Sequence, residues 1–159
     1  MPQLKPEEQA SNLLALIKER QLTSQEVEEL LIACTDTRSL PVDKQQELGT
    51  DTVQRMAWKV LRQPFMLDRE TFTLVVEALD TDEASLCEGA VMILQHSKSL
   101  PQDIQQKAVQ KIQHILLDDT MCSQFSSMSY FEILRLYDTL FESLKVLVDR
   151  SQGNIFRSL

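Results

Sequence analysis

The sequence predicts an all-α protein: a layered stack of about seven helices forming one domain over residues 1–150, with a short tail over 151–159. Three observations carry this. Turn punctuation is sparse, with 3 Gly and 5 Pro in 159 residues, far fewer than a β protein of this size needs. The composition is rich in Leu, Glu, Gln, Ala and Lys, which are good helix formers. Segment after segment places apolar residues at i, i+3, i+4 and i+7, one face of a helix. Hydrophobic residues make up 43% of the chain, enough for a packed core and too many for a disordered one.

The first helix is expected over residues 6–20. Pro6 suits a first turn, Glu7 and Glu8 complement the positive helix end, and Ala10, Leu13, Leu14 and Ile17 form its apolar face. Its polar opposite face suits an end cap on a stack. The second helix opens on a capping box, Thr23 with Glu26, stapled by Leu22 and Val27. Val27, Leu30, Leu31 and Cys34 make its stripe. Residues 41–63 read as a helix broken at Gly49 and restarted at Thr50 or Asp51, with Val53, Met56, Ala57, Val60 and Leu61 inward. Pro64 ends it.

A helix capped by Asp68 and stapled by Leu67 and Phe72 follows, with Phe72, Val75, Val76 and Leu79 inward. The corner DTDE, capped by Asp80 or Thr81, leads to a helix through Leu86, Cys87, Ala90, Val91, Ile93 and Leu94. That helix is apolar over more than half its circumference and should be packed on several sides. Residues 101–118 place Ile104, Ala108, Ile112, Ile115 and Leu116 inward, and 119–127 read as a loop. The last helix, expected over 129–149, starts with Ser129 and Glu132 as a capping box and Met128 and Ile133 as a staple. Its stripe is Ile133, Tyr137, Leu140, Leu144 and Leu147, widened by Leu134, Phe141 and Val148.

Two offsets recur along the chain. Residues 22–35 (LTSQEVEELLIACT) align with 67–80 (LDRETFTLVVEALD) at an offset of 45, and 53–63 (VQRMAWKVLRQ) with 86–96 (LCEGAVMILQH) at 33. Caps, staples and stripes coincide. The difference of 12 predicts an insertion in the first unit around LPVDKQQELGTD, Leu40 to Asp51. A further echo links SLPVDKQQ (39–46) with SLPQDIQQ (99–106). A helical hairpin cannot bury its face alone, so such units must stack.

Residues 67–98, and more broadly 22–98, resemble an armadillo or HEAT-type repeat. FTLVVEALDTDEASLCEGAVMILQHS has a helix, a short acidic corner and a longer helix with paired small residues, Gly89 and Ala90; Met56 and Ala57 are their equivalents. The resemblance implies a right-handed α-solenoid fragment with a binding groove lined by the longer helices. In armadillo proteins those helices often carry a Trp and, four residues on, an Asn. Trp58 stands at the Trp position, but Arg62 replaces the Asn, and the second unit has Val91 and Gln95. The asparagine ladder is missing.

Composition excludes several function classes. A net charge of −8 argues against phosphate backbones, which need clustered Lys and Arg, and against anionic membrane surfaces. No segment has the ~18 uncharged apolar residues of a membrane span, and the N-terminus lacks a signal-peptide run. Cys34, Cys87 and Cys122 are widely spaced, and Cys34 and Cys87 fall on apolar faces, as in a reduced, cytoplasmic setting. His96 and His114 lack partners at metal-ligand spacing, no phosphate-binding or nucleophile motif occurs, and no cofactor is implied. Asp80, Asp82, Asp118 and Asp119 sit at helix ends, where capping accounts for them.

The expectation is therefore a non-enzymatic scaffold that binds a protein or peptide on a curved helical surface. Trp58, Arg55, Arg62, Glu88 and Gln95 are the candidate contact residues. Trp58 has a second possible place, in the core beside Ala57 and Val60. Seven acidic residues against two basic ones in 67–98 favour a basic partner. The alternative is a self-assembling subunit that oligomerises through its C-terminal helix.

Overall fold

The computed structural model describes residues 4–117, 125 and 129–158. Among them are eight α-helices: α1 (Pro6–Leu16), α2 (Ser24–Ala33), α3 (Val42–Leu48), α4 (Val53–Leu61), α5 (Arg69–Glu77), α6 (Ala84–His96), α7 (Gln102–Leu117) and α8 (Tyr130–Ser158). A 3₁₀ turn, Ala78–Asp80, extends α5. Pairing outside the helices is confined to three isolated bridges among the described residues. None of the described helices is long and apolar enough to cross a membrane.

The helices pack in two rows. α2, α5 and α7 follow one another in one row, and α1, α4, α6 and α8 in the other, with α2 on α4, α5 on α6 and α7 on α8 joining the rows. The first two joined pairs are the two aligned segments of the sequence. Leu22, Val27, Leu30, Leu31 and Cys34 are buried, and so are Leu67, Phe72, Val75, Val76 and Leu79, each 45 positions on. The helix starts also correspond. Thr23 accepts from the Glu26 N–H at 3.2 Å, and the Thr23 N–H donates to the Glu26 carboxylate at 2.9 Å, a complete capping box. Asp68 accepts from the Thr71 N–H at 2.8 Å. Ser24 and Thr71 hydroxyls meet at 2.7 Å and tie the two starts together.

The segments entering successive units also pair with each other. The Met66 N–H donates to Arg20 O at 2.9 Å, the Leu22 N–H to Met66 O at 3.2 Å, and the Lys98 N–H to Phe65 O at 3.0 Å. This ladder links residues 20–22, 65–67 and 97–98, so the stack is held in register by backbone as well as by side chains.

The predicted insertion is a closed excursion. The chain leaves α2, forms the short α3, and returns. The Leu40 N–H donates to Asp51 O at 2.8 Å and the Val53 N–H to Arg38 O at 3.2 Å, which pinches the base shut. Gly49 ends α3 at φ 69°, in the left-handed region. A Cβ there would meet open space apart from the Lys59 amine at 3.7 Å, so backbone strain alone sets the cost. Gly49→Ala is expected to lower the unfolding free energy by about 1–2 kcal/mol, read as a fall in urea midpoint at constant slope. The SLP echo is a shared helix start: Pro41 and Pro101 carbonyls accept from the Gln45 and Gln105 N–H groups, each at 2.9 Å.

Several boundaries differ from expectation. α1 ends at Leu16 rather than near residue 20, because Arg20 to Leu22 are drawn into the ladder, and Leu14 is exposed. α4 starts after Thr52, not Thr50 or Asp51, with the Arg55 N–H donating to Thr52 Oγ1 at 3.1 Å. The residue preceding α6 is Glu83, not Asp80 or Thr81, with no side-chain cap. Ser129 caps α8 as expected, at 3.2 Å from the Glu132 N–H. α8 does not stop at residue 149 but continues to Ser158. Its buried row is Leu136, Leu140, Ser143 and Leu147, while Leu134 and Phe141 are exposed. Met128, Cys122, Asp118, Asp119 and most of the expected 119–127 loop lie outside the described residues.

Candidate functional site

Helical spacing alone puts functional side chains from three helices over one region. α4 presents Trp58 and, at its C-terminal cap four residues on, Arg62. α6 presents Glu88, Met92, Gln95 and His96. α8 presents Arg135, Asp138, Thr139 and Glu142. Each set lies on one helical face, and together they line a hollow of about 440 Å³. Four of the five residues anticipated from sequence, Trp58, Arg62, Glu88 and Gln95, are therefore neighbours. The fifth, Arg55, is exposed outside the hollow, where it pairs at 3.2 Å with Asp51, just ahead of the cap of its own helix.

The centre of the site is an arginine held by a ring and a carboxylate. The Arg135 guanidinium carbon lies 4.6 Å from the Trp58 ring centroid, a cation–π contact. Arg135 Nε donates to Glu88 Oε2 at 3.0 Å, and Thr139 Oγ1 donates to Glu88 Oε1 at 3.2 Å. Glu88 is only 5% exposed, so both its carboxylate oxygens are occupied where water is scarce. Further along, Ser143 Oγ donates to Gln95 Oε1 at 2.6 Å and Arg150 Nη2 to Gln95 O at 2.7 Å. These contacts advance in step along α6 and α8.

α4 and α8 stand on either side of α6 in their row, yet the long side chains of Trp58 and Arg135 meet across it, over the hollow. Trp58 is half-buried, neither free in the groove nor fully core, and its indole N–H is buried without an acceptor.

His96 is held below the usual histidine value, first by burial and then by the positive charges of Arg150 and Arg62, so the imidazole at this end of the hollow is neutral near pH 7. Asp138 and Glu142 are exposed on the α8 rim. Arg135 takes up the Trp58 face and the Glu88 carboxylate, so the groups the hollow leaves open are the neutral imidazole and the exposed rim carboxylates of Asp138 and Glu142, suited to recognising cations and amides.

Elsewhere, Cys34 and Cys87 are free and buried. Burial, and then the Glu88 charge, raises both thiols, Cys87 to about 12, so both are protonated near neutrality. Among the described residues, no group of three or more His, Cys, Asp or Glu stands where it could hold a metal ion.

Sequence reasoning missed Arg135, Thr139 and the α8 rim, because the last helix was read through its apolar stripe. The signal was present: Arg135, Thr139 and Ser143 form a polar row at i, i+4 and i+8, the pattern of a helix facing a polar partner. Comparisons of the chain with models of known protein families, with curated proteins and with solved structures find no match.

Proposed function

We propose that this chain is a non-enzymatic protein-interaction module, a right-handed armadillo- or HEAT-like α-solenoid fragment that takes a protein or peptide partner on the concave face of α4, α6 and α8. The observation that supports this best is the convergence of Trp58, Arg62, Glu88 and Gln95 with α8 residues around one hollow of about 440 Å³. A buried core contact would be expected to be dry and apolar. This face instead keeps charged and amide groups around an open space, bridged by Arg135 rather than filled.

The partner is basic. Glu88 is already occupied by Arg135, so a partner's Lys or Arg would meet Asp138 and Glu142, while apolar atoms would rest on Met92 and the Trp58 edge. A net charge of −8 steers such a partner at long range, and the reading includes no cofactor, nucleic acid or membrane.

Affinity capture on the full chain with quantitative mass spectrometry tests this, comparing wild type with Trp58→Ala/Arg62→Glu and with Glu142→Lys. The expected result is one shared set of proteins, rich in basic segments, lost from both variants. A capture profile unchanged in both overturns the reading.

A further inference from the structure

We infer that the outer face of α8 pairs with the same face of a second copy of the chain, antiparallel, with the two Phe141 side chains on the two-fold axis. This goes beyond the groove reading and shares only Asp138 with it.

α8 is apolar over a wider arc than its own fold covers. Leu136, Leu140 and Leu147 are buried, and Tyr137 and Leu144 are partly buried against the core. Beyond them the apolar surface continues into Leu134, Phe141 and Val148, with Phe141 55% and Leu134 45% exposed. These three are seven residues apart, the spacing of a helix–helix seam. Tyr137 stacks on Phe141 with centroids 5.7 Å apart, which braces the ring.

The stripe points where another layer would sit. At ~100° per residue, Phe141 lies about 180° from Arg150 and close to opposite Ser143, the residues that bond α6. α8 therefore meets its neighbour in the row with one side and presents the apolar stripe on the other. Among the described residues no helix is stacked beyond α8 in its row, and Phe141 and Leu134 are left exposed there.

Charge selects the occupant and its direction. Asp138 and Lys145 flank the stripe on the same side, both exposed, three residues before and four after Phe141. Neither has an ion-pair partner among the described residues. In an antiparallel pair centred on Phe141, Asp138 of one copy comes level with Lys145 of the other, twice by symmetry, and Leu134 meets Val148. The face is self-complementary, as a two-fold interface requires. A parallel pair would set Asp138 and Lys145 beside the partner's own core-facing side, where no charge answers them. A single helix pair falls in the small, transient interface class, below ~1,000 Å², so association in the micromolar range is expected.

The test is sedimentation-equilibrium analysis of the full chain across micromolar concentrations, with circular dichroism confirming each variant is folded. Wild type should show a reversible monomer–dimer equilibrium. Phe141→Glu should weaken it at least about tenfold. Lys145→Asp alone and Asp138→Lys alone should each weaken it by setting like charges together, and the double swap should restore it. Lys145 lies outside the hollow, so Lys145→Asp leaves the groove side chains intact. A wild type that stays monomeric, a dimer insensitive to Phe141→Glu, or a double swap no better than either single change overturns the inference.

Discussion

Arg135→Ala is expected to destabilise the protein by about 2–3 kcal/mol, more than most partly exposed arginines would cost. Hydrogen bonds to charged groups contribute about 1.5–3 kcal/mol, and an ionised group left unsatisfied in a buried place adds its desolvation cost. Among the described residues Glu88 would keep only the Thr139 hydroxyl, whose single proton is shared with Arg135 O at 3.0 Å. The upper range for buried pairs does not apply, because the Arg135 side chain is 42% exposed and water screens part of the attraction. Replacing Glu88 by Gln in the same chain should recover part of the loss, since a neutral amide tolerates burial better than a carboxylate. The double-mutant cycle from urea melts should give a coupling of about 1–2 kcal/mol. Trp58 fluorescence should change in Arg135→Ala, because the guanidinium leaves the ring face. A loss below about 0.5 kcal/mol, the scale of an ordinary surface change, would mean the contact is not formed in solution.

The second large effect lies at Gly89, where the sign of a mutation should depend on a residue 55 positions away. A Cβ at Gly89 would come within 2.8 Å of Cys34 Sγ on α2. Cys34 is fully buried, and its thiol donates to Leu30 O at 3.3 Å, so it has little room to yield. Gly→Ala in a helix interior ordinarily gains ~1 kcal/mol. Overpacking a tight core ordinarily costs ~1–3 kcal/mol, and here it should win, so Gly89→Ala is expected to destabilise. In a Cys34→Ala background the nearest remaining atoms are Leu31 Cδ2 at 3.4 Å and Cys34 Cβ at 3.5 Å, close to ordinary contact. There the same Gly89→Ala should stabilise. Denaturant midpoints of the four proteins decide it; equal effects in both backgrounds would show that α2 and α6 separate to accept the methyl group.

Local chemistry made much of the fold legible. Capping boxes, staples and stripes are short-range patterns, and Thr23, Asp68 and Ser129 cap where their sequences say they should. The aligned offsets were legible because equivalent core positions need similar residues. What escaped was set by long-range geometry. The ladder from Arg20 to Lys98 is built from backbone groups, which leave no mark on side-chain periodicity. In α8 the stripe correctly identified a helix, but an apolar arc this wide does not say which part faces inward, so Leu136 was missed and Phe141 was assigned too deep. Four groove residues were found from the paired units. Arg135 was not, because its role depends on a third helix reaching across the second.

The pinched base of the α3 excursion has one more consequence. Because residues 38–40 and 51–53 already hold each other, the ten or so residues between them form a cassette whose ends are fixed by the protein rather than by its own length. Loop-closure cost grows only as the logarithm of length, so the exposed residues of this cassette could be lengthened or rewritten around the buried Leu48 while the units on either side keep their spacing. Its residues lie outside the hollow, so a new outward-facing surface could be built there without replacing a groove side chain.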